Sequence, residues 1–349
     1  MKKISLIAPG RISGRLSKMV EAATSGIPVE VLPDTGDIPD LKNKKILFAA
    51  DLDQTGVNIP LLDLFRILYK RGGDALGGSS AGLLLHSESE LFTKSAAQNI
   101  IFLANRLGCR FPGSPLVEAT ADLRNFLTWR KKLGSSLEEV CADLCTALGR
   151  RLLEDFPSTV KSPRILAVHA SSRETSNTLM LWDMIKKHLP GGGITELHVE
   201  NGAVRDCKGC SYTTCKHFSR QRSCFYGGVM VEEIFPEIEK ADAIVWICPN
   251  YNDSVSANLM AVINRLTALY RRTKFFDKTL FGVIVSGNSG SDSVAKQMIG
   301  ALNINKSFRL PPYFAIMATA NNPGDIKAVP GIEEKAGLFA QNMLREIKT

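Results

Sequence analysis

An internal repeat constrains the fold of this chain more than any other feature of its sequence. The segment ILFAADLDQTGVNIPLLDLFRIL (residues 46–68) aligns without a gap on IVWICPNYNDSVSANLMAVINRL (residues 244–266). Further along, GLLLHSESE (residues 82–90) matches GVIVSGNSG (residues 282–290), and VEATA then matches IMATA. Three matches in the same order predict a tandem duplication in which each copy is one structural unit.

Each copy alternates short apolar runs with longer amphipathic segments. RILAVHA, AIVWICP and FGVIVSG are nearly continuous apolar runs rich in β-branched residues, which is typical of strands buried on both faces of a parallel sheet. The segments between them are long enough for crossover helices. We therefore predict an α/β fold with two tandem open parallel sheets, each with helices on both faces. The polar, proline-containing joint FPSTVKSPR predicts domains at residues 1–157 and 158–349.

Composition bounds the class of protein. The chain is 44% hydrophobic and 22% charged, as in globular domains, and it contains no apolar stretch of the roughly 18 residues that a membrane span needs. The start, MKKISLIAPGR, lacks a signal-peptide cleavage site, so we expect a cytoplasmic protein, in which disulfides are the least favoured state of the cysteines. A net charge of +8 favours phosphorylated cofactors or an acidic electron partner. No DNA-reading motif or aromatic-interleaved basic stripe favours nucleic acid.

Three loops follow predicted strands of the second copy, where parallel sheets bind ligands. SSRETSNT (residues 171–178) opens a helix, and its hydroxyls and backbone N–H groups suit a phosphate, although an ordinary N-cap cluster is the alternative. PNYNDSVSANL (residues 249–259) supplies a rigid turn, amides and an aromatic ring for a flat ligand. GNSGSDS (residues 287–293) has glycines that allow close approach of the backbone.

HASSRETSNT, PNYNDSVSANLMAVINR and SGNSG, in this order, resemble the NAD(P)H-dependent FMN reductases of the flavodoxin-like fold, a family that includes the iron–sulfur flavoproteins. The resemblance covers residues 162–349. It implies an enzyme that holds FMN, takes hydride from NAD(P)H and passes electrons to a flavin, quinone or other small acceptor. Ala170 stands where the family more often has Gly, and Ser256 where many members have Pro. The positions that match the family's FMN-binding motifs are Ser171, Arg173, Ser176, Asn177, Thr178, Pro249, Asn250, Tyr251, Asn252, Ser286, Gly287, Asn288 and Gly290.

The first copy resembles the same flavodoxin-like fold without its cofactor motifs. APGRISGRL (residues 8–16) lacks the Ser-Asn-Thr of the phosphate loop, and DLDQTGV (residues 51–57) has carboxylates in place of Pro-Asn-Tyr. Carboxylates repel a phosphate, so we predict a degenerate domain without cofactor. Because the family is typically dimeric, the resemblance implies that this copy replaces a partner subunit in an internal pseudo-dimer. A further homodimer of the whole chain is compatible with this pseudo-dimer.

The segment DCKGCSYTTCKHFSRQRSC (residues 206–224) contains four of the eight cysteines, with the spacing C-x2-C-x4-C-x8-C. The iron–sulfur members of the family have a more compact cysteine motif at this position, which implies a [4Fe–4S] cluster as one alternative. Its negative charge would be offset by the basic residues around it. Metal-free thiols, a zinc site or a disulfide are the others. The candidate metal ligands are Cys207, Cys210, Cys215 and Cys224.

Two further functions stay open on the sequence. One is a non-enzymatic flavin and iron–sulfur electron carrier that works with a redox protein, and the other is a thiol-based sensor without flavin. No residue is predicted as a general acid or a nucleophile, and the chain contains no GxGxxG fingerprint for a dinucleotide. NADH and NADPH are both compatible with transient binding over the flavin.

Overall fold

The computed structural model describes residues 3–33, 38–157, 159–171 and 174–349. Its internal contacts divide the chain into two compact units, Met1–Phe156 and Pro157–Thr349. Among the described residues, none of the helices combines the length and the apolar composition that a membrane crossing requires.

The first unit alternates strands and helices along the chain. Its elements are β1 (Ile4–Ile7), α1 (Gly14–Thr24), β2 (Val29–Val31), β3 (Lys45–Leu52), α2 (Ile59–Arg71), β4 (Ser80–Ser87), α3 (Thr93–Asn105), β5 (Leu116–Thr120), a 3₁₀ turn (Arg124–Phe126), α4 (Leu127–Leu133) and α5 (Leu137–Glu154).

The second unit follows the same alternation and adds a helix between its second strand and the next crossover. Its elements are β6 (Ile165–His169), α6 (Asn177–Lys186), β7 (Ile194–His198), α7 (Tyr212–Arg220), a π-helical turn (Met230–Ile234), α8 (Phe235–Lys240), β8 (Ala243–Pro249), α9 (Ala257–Arg272), β9 (Thr279–Ser286), α10 (Ser291–Met298), a second π-helical turn (Ile299–Ile304), β10 (Ala315–Thr319), a 3₁₀ turn (Asp325–Ala328) and α11 (Ile332–Ile347).

Both sheets have five parallel strands in the same order. In the first unit the order is β2-β1-β3-β4-β5, and in the second it is β7-β6-β8-β9-β10. Counted within each unit, this is the 2-1-3-4-5 order of the flavodoxin-like fold. The predicted fold class is therefore confirmed for both units.

The central strands of the second unit are buried on both faces, as their apolar runs predict. Every residue of β8 and β9 is buried. Val245 of β8 and Phe281 of β9 are register partners and lie in one core cluster with Trp182 of α6 and Phe339 of α11. Trp246 points to the opposite face and is also buried, because side chains alternate along a strand. Helices therefore cover both faces, and the ends of the sheet are left for a site.

Candidate functional site

Three loops of the second unit leave the same edge of its sheet. β6 ends at His169, β8 at Pro249 and β9 at Ser286, and β8 lies between the other two strands. Because the strands are parallel, their carboxyl ends meet at one edge, where such sheets bind ligands. The described residues of the three predicted cofactor loops are thus brought to one edge.

The first loop leads into the N-terminus of α6. Ser176 caps this helix, since its Oγ accepts a hydrogen bond from the N–H of Leu179 at 3.2 Å. Ser171 and Thr178 are buried on either side of it. The N–H groups of a first helical turn have no partner within the helix and carry the positive end of its dipole, so they suit a phosphate. Arg173, also predicted to contact the phosphate, lies outside the described residues.

The side chain of Asn177 bonds to the protein backbone, whereas the sequence predicts that it contacts the phosphate. Its Nδ2 donates to the carbonyl oxygens of Asn322 (2.8 Å) and Ala320 (3.3 Å). Its Oδ1 accepts from the N–H groups of Gly324 (2.9 Å) and Ile326 (3.3 Å). These four bonds use the full capacity of a side-chain amide. The side chain therefore fastens the loop after β10, and only the backbone of Asn177 is left for a phosphate.

The second loop is a tight hairpin. Tyr251 and Ser254 exchange backbone hydrogen bonds of 3.3 and 3.1 Å. Asn252 and Asp253 between them have φ values of 52° and 56°, the left-handed pair that a type I′ turn requires and that Asn and Asp tolerate best after Gly. The turn leaves Tyr251 59% exposed at the sheet edge.

Asn250 ties the second loop to the third. Its Nδ2 lies within hydrogen-bond distance of Ser286 Oγ (3.0 Å), the carbonyl oxygen of Ser289 (2.9 Å) and Asp253 Oδ1 (3.2 Å). Gly290 packs against this group, with φ +86°, and a Cβ there would lie 1.8 Å from Asp253 Oδ1. Glycine is thus required at this position. Asp253 itself was not among the predicted site residues.

The third loop also approaches the loop after β10. A Cβ at Gly287 would lie 3.0 Å from Asn321 Oδ1. Ser286 is buried and its Oγ lies 2.6 Å from Ser291 Oγ at the start of α10, whereas Asn288 is exposed at the edge. Amide and hydroxyl side chains thus link the loops after β8, β9 and β10 with the start of α6.

The cysteine segment lies along α9 and leads away from these loops. Asp206 Oδ1 accepts from Asn264 Nδ2 at 2.9 Å. The Sγ atom of Cys224 accepts from Arg265 Nε at 3.4 Å, and that of Cys215 accepts from Arg271 Nε at 3.0 Å. Arg271 is about 20 Å along the helix from its start beside the second loop, at 1.5 Å per residue.

The four predicted metal ligands are not gathered around one point. In the part of the chain that the structure describes, no group of three His, Cys, Asp or Glu side chains could hold a metal ion. Cys207 is exposed, Cys210 is half-buried, and the sulfurs of Cys215 and Cys224 contact different arginines. A four-cysteine cluster or zinc site needs all four sulfurs at one centre. The described residues therefore do not show the predicted metal site, and two of its four sulfurs contact arginines of α9.

The corresponding edge of the first unit holds an internal carboxylate. Asp51 Oδ2 accepts from the backbone N–H of Ser13 at 2.6 Å, and its Oδ1 accepts from Ser13 Oγ at 2.8 Å. His86 Nδ1 lies 2.6 Å from the same Oδ1. Ser13 is the N-cap of α1, so Asp51 takes donors at a helix start that would otherwise face a bound anion.

Residues 163–321 match the family model described as NADPH-dependent FMN reductase. The second unit belongs to this family. The match spans every predicted FMN-binding position and confirms the predicted family. It makes the second unit a flavin-dependent oxidoreductase domain.

Several solved structures match about half of this chain. The NAD(P)H:quinone oxidoreductase from Methanothermobacter marburgensis is 15% identical, over 52% of this chain and 97% of its own, with a TM-score of 0.41. The Trp repressor binding protein from Bacillus subtilis is 16% identical, over 50% of this chain and 96% of its own, with a TM-score of 0.35. No curated protein matches the chain.

Buried polar atoms of the FMN reductase unit test whether its loops fit FMN. Within the described ranges, Ser171 Oγ, Asn250 Oδ1 and Ser256 Oγ are buried without a hydrogen-bond partner. Trp246 Nε1, on β8, is also buried without a hydrogen-bond partner. Each such atom costs about 1–3 kcal/mol, and a polar ligand that bonds to it removes this cost. The first three all belong to the first two loops, so the residues present fit a polar cofactor such as FMN.

We predict that Asn177→Leu releases the loop after β10. The backbone groups that Asn177 pairs would lose their partners, so we expect a destabilisation of about 1–3 kcal/mol in urea unfolding. Hydrogen exchange at the amides of Gly324 and Ile326 should accelerate, whereas the amide of Ala320, which bonds to Ser286, should stay protected. Asn264→Leu, which removes one exposed side-chain bond, is the control. Unchanged exchange at both amides would contradict the fastening role.

We also predict that Asp51 stabilises the first unit only while it is ionised. Burial raises the pKa of Asp51, but hydrogen bonds from His86 and Ser13 outweigh it and hold the pKa below its usual value. A carboxyl with a lowered folded pKa stabilises the fold above its unfolded pKa of about 3.9, and this contribution is lost as pH falls through the folded pKa.

Asp51→Asn should therefore cost about 1–3 kcal/mol at neutral pH, and the difference from the wild type should shrink below about pH 4. Urea unfolding across this range measures it. Asp143→Asn, which changes an exposed carboxyl of α5, should stay within about 0.5 kcal/mol of the wild type throughout. A cost for Asp51→Asn that does not vary with pH would argue against a role for its charge.

Proposed function

We propose that the second unit binds one FMN at its sheet edge and acts as an NAD(P)H-dependent oxidoreductase with a flavin, a quinone or another small molecule as acceptor. The observation that carries this proposal is the set of buried, unpartnered oxygens in the first two loops. The family match over residues 163–321 supports it independently.

Different residues would hold the two ends of the cofactor. The N-terminus of α6, with Ser171, Ser176 and Thr178, would hold the phosphate through N–H groups and hydroxyls. Asn250 Oδ1 and the exposed ring of Tyr251 would face the isoalloxazine ring. The backbone at Gly287 and Gly290 would complete this contact, since glycine lets it come close.

FMN, when bound, supplies the redox chemistry, which is to accept hydride from a reduced nicotinamide and release electrons to an acceptor. The protein contributes placement. Asn177 and Asn250 fasten the surrounding loops, so the N–H donors at α6 and the ring of Tyr251 keep their spacing without reorganisation. Asn250 Oδ1 offers a buried acceptor that orients a ring N–H group.

We propose that the first unit binds no FMN. Asp51 already bonds to the N–H and Oγ donors at the N-cap of α1, and its negative charge there would repel a phosphate. The chain would then hold one FMN rather than two.

Ser176→Asp tests the phosphate position. Asp caps a helix about as well as Ser, so α6 should still form, but the added carboxylate would face the phosphate. We expect FMN retention after reconstitution to weaken by about tenfold or more, as measured by flavin content after gel filtration. Ser211→Asp, at the N-cap of α7, is the matched control and should retain FMN. Full retention in Ser176→Asp, or two FMN per wild-type chain, would contradict the proposal.

The alternative function is an electron carrier that exchanges electrons with a redox protein. The basic residues of the cysteine segment favour it. Anaerobic mixing with NADH and, separately, with NADPH separates the two functions. An NAD(P)H oxidoreductase should bleach the flavin absorbance with at least one of them within its turnover time, whereas a carrier should respond only to a reduced protein donor.

Metal analysis tests whether the cysteine segment binds an iron–sulfur cluster. Because two of its four sulfurs are engaged by Arg265 and Arg271, we expect anaerobically purified protein to show a flavin spectrum without stoichiometric iron. About four iron and four sulfide per chain, lost in Cys207→Ser with FMN still bound, would restore the cluster hypothesis.

A further inference from the structure

Cations beside the cysteine segment lie over aromatic rings. Lys208 Nζ is 3.8 Å from the ring centroid of Phe225. The guanidinium carbons of Arg205 and Arg265 are 5.7 and 5.9 Å from the ring centroid of Tyr226. Both rings are exposed by about two fifths, at 41% and 38%. Cation–π contacts of this kind keep long basic side chains in fixed positions at a surface.

A second group of cations continues from the first at the end of α9. Arg271 lies 4.6 Å from the ring centroid of Tyr212, besides holding the sulfur of Cys215. Lys274 and Lys306 lie 3.5 and 5.9 Å from the ring centroid of Tyr270. The two arginine–sulfur contacts hold the segment against α9, and Lys216 Nζ lies 5.8 Å from the ring centroid of the same Tyr212.

We call this surface the basic face, and define it by Arg205, Lys208, Lys216, Arg271, Lys274 and Lys306. Throughout the described ranges, no carboxylate lies within ion-pair distance of any of these six residues. Other lysines of the same unit do have such partners, as Lys186 has in Glu196 (2.6 Å) and Lys296 in Asp292 (3.0 Å). The single acid of the segment, Asp206, bonds to Asn264 and to its neighbour's N–H.

Like charges crowd one another on this face. Burial and then the charge of Arg271 lower the pKa of Lys306, with Lys274 acting in the same direction and Cys207 opposing it. Several cations held together without anions raise the electrostatic energy of the free surface. A partner that brings carboxylates would lower that energy and would be attracted over a distance.

We propose that the basic face is a docking surface for an acidic redox protein. The redox character of the partner rests on the flavin chemistry of the proposed function, to whose small acceptors it adds a protein that exchanges electrons with the flavin. Exposed Tyr and Arg side chains with aromatic support are typical of protein interfaces. Single-stranded nucleic acid fits less well, because it stacks its bases on open aromatic faces, whereas lysines already cover Phe225 and Tyr270.

The test measures binding of an acidic [2Fe–2S] ferredoxin to the full chain, by calorimetry at low and at high salt. Lys208→Glu with Lys274→Glu reverses two charges of the basic face. Lys335→Glu with Lys348→Glu makes the same change of net charge at exposed positions elsewhere in the unit. We expect salt-sensitive binding to the wild type, a Kd raised about tenfold or more by the first pair, and little change from the second.

Binding is measured on both FMN-loaded and FMN-free chain, so that loss of flavin and loss of docking are read separately. Equal weakening by the two pairs, or no binding of ferredoxin to the wild type, would overturn the docking proposal. Tighter binding of a single-stranded RNA oligonucleotide or of phosphatidylserine vesicles than of ferredoxin would overturn it as well. Failure of the chain to retain FMN, with docking intact, would instead count against the proposed function alone.

Discussion

The parallel direction of the strands is the constraint on which the rest of this structure depends. Parallel strands need crossover helices, and these helices cover both faces of each sheet, which leaves only the sheet ends open. Since every strand ends at the same edge, residues far apart in sequence, such as Ser171, Asn250 and Ser286, follow neighbouring strands. The sheet brings the loops together, and local chemistry decides what each edge does.

Two asparagine side chains turn adjacent loops into one rigid frame. Asn177 bonds to four backbone groups of the loop after β10, and Asn250 joins the hairpin after β8 to the loop after β9. Neither side chain needs the ligand for its Nδ2 bonds. A site prepared in this way loses little conformational entropy when it binds a cofactor.

The fold could be predicted from the sequence because buried parallel strands appear as apolar runs, such as AIVWICP and FGVIVSG. The loops could be located for the same reason, since each follows such a run. The direction of the Asn177 side chain could not be predicted, because its partners lie more than a hundred residues away in the loop after β10. The role of Asp253 depends on a close contact with Gly290, for which no local pattern exists.

The positions of the cysteine sulfurs could not be predicted from the sequence for a similar reason. Cysteine spacing describes the segment alone, but two sulfurs are engaged by arginines of α9, which enters from a later part of the chain. The basic residues of the segment were visible in the sequence. The contacts of Lys208 with Phe225 and of Lys216 with Tyr212, and the lack of carboxylates around the six described residues of the basic face, needed the tertiary structure.

The contact between Asp51 and Ser13 gives the first unit an anion of its own at the start of α1. The helix start in the first unit keeps its serine and its N–H donor, and a carboxylate from the next strand satisfies them. The anion at this helix start is therefore part of the chain itself. A tethered anion is present at a fixed high local concentration and cannot diffuse away. The donors of Ser13 therefore stay satisfied at any concentration of free ligand.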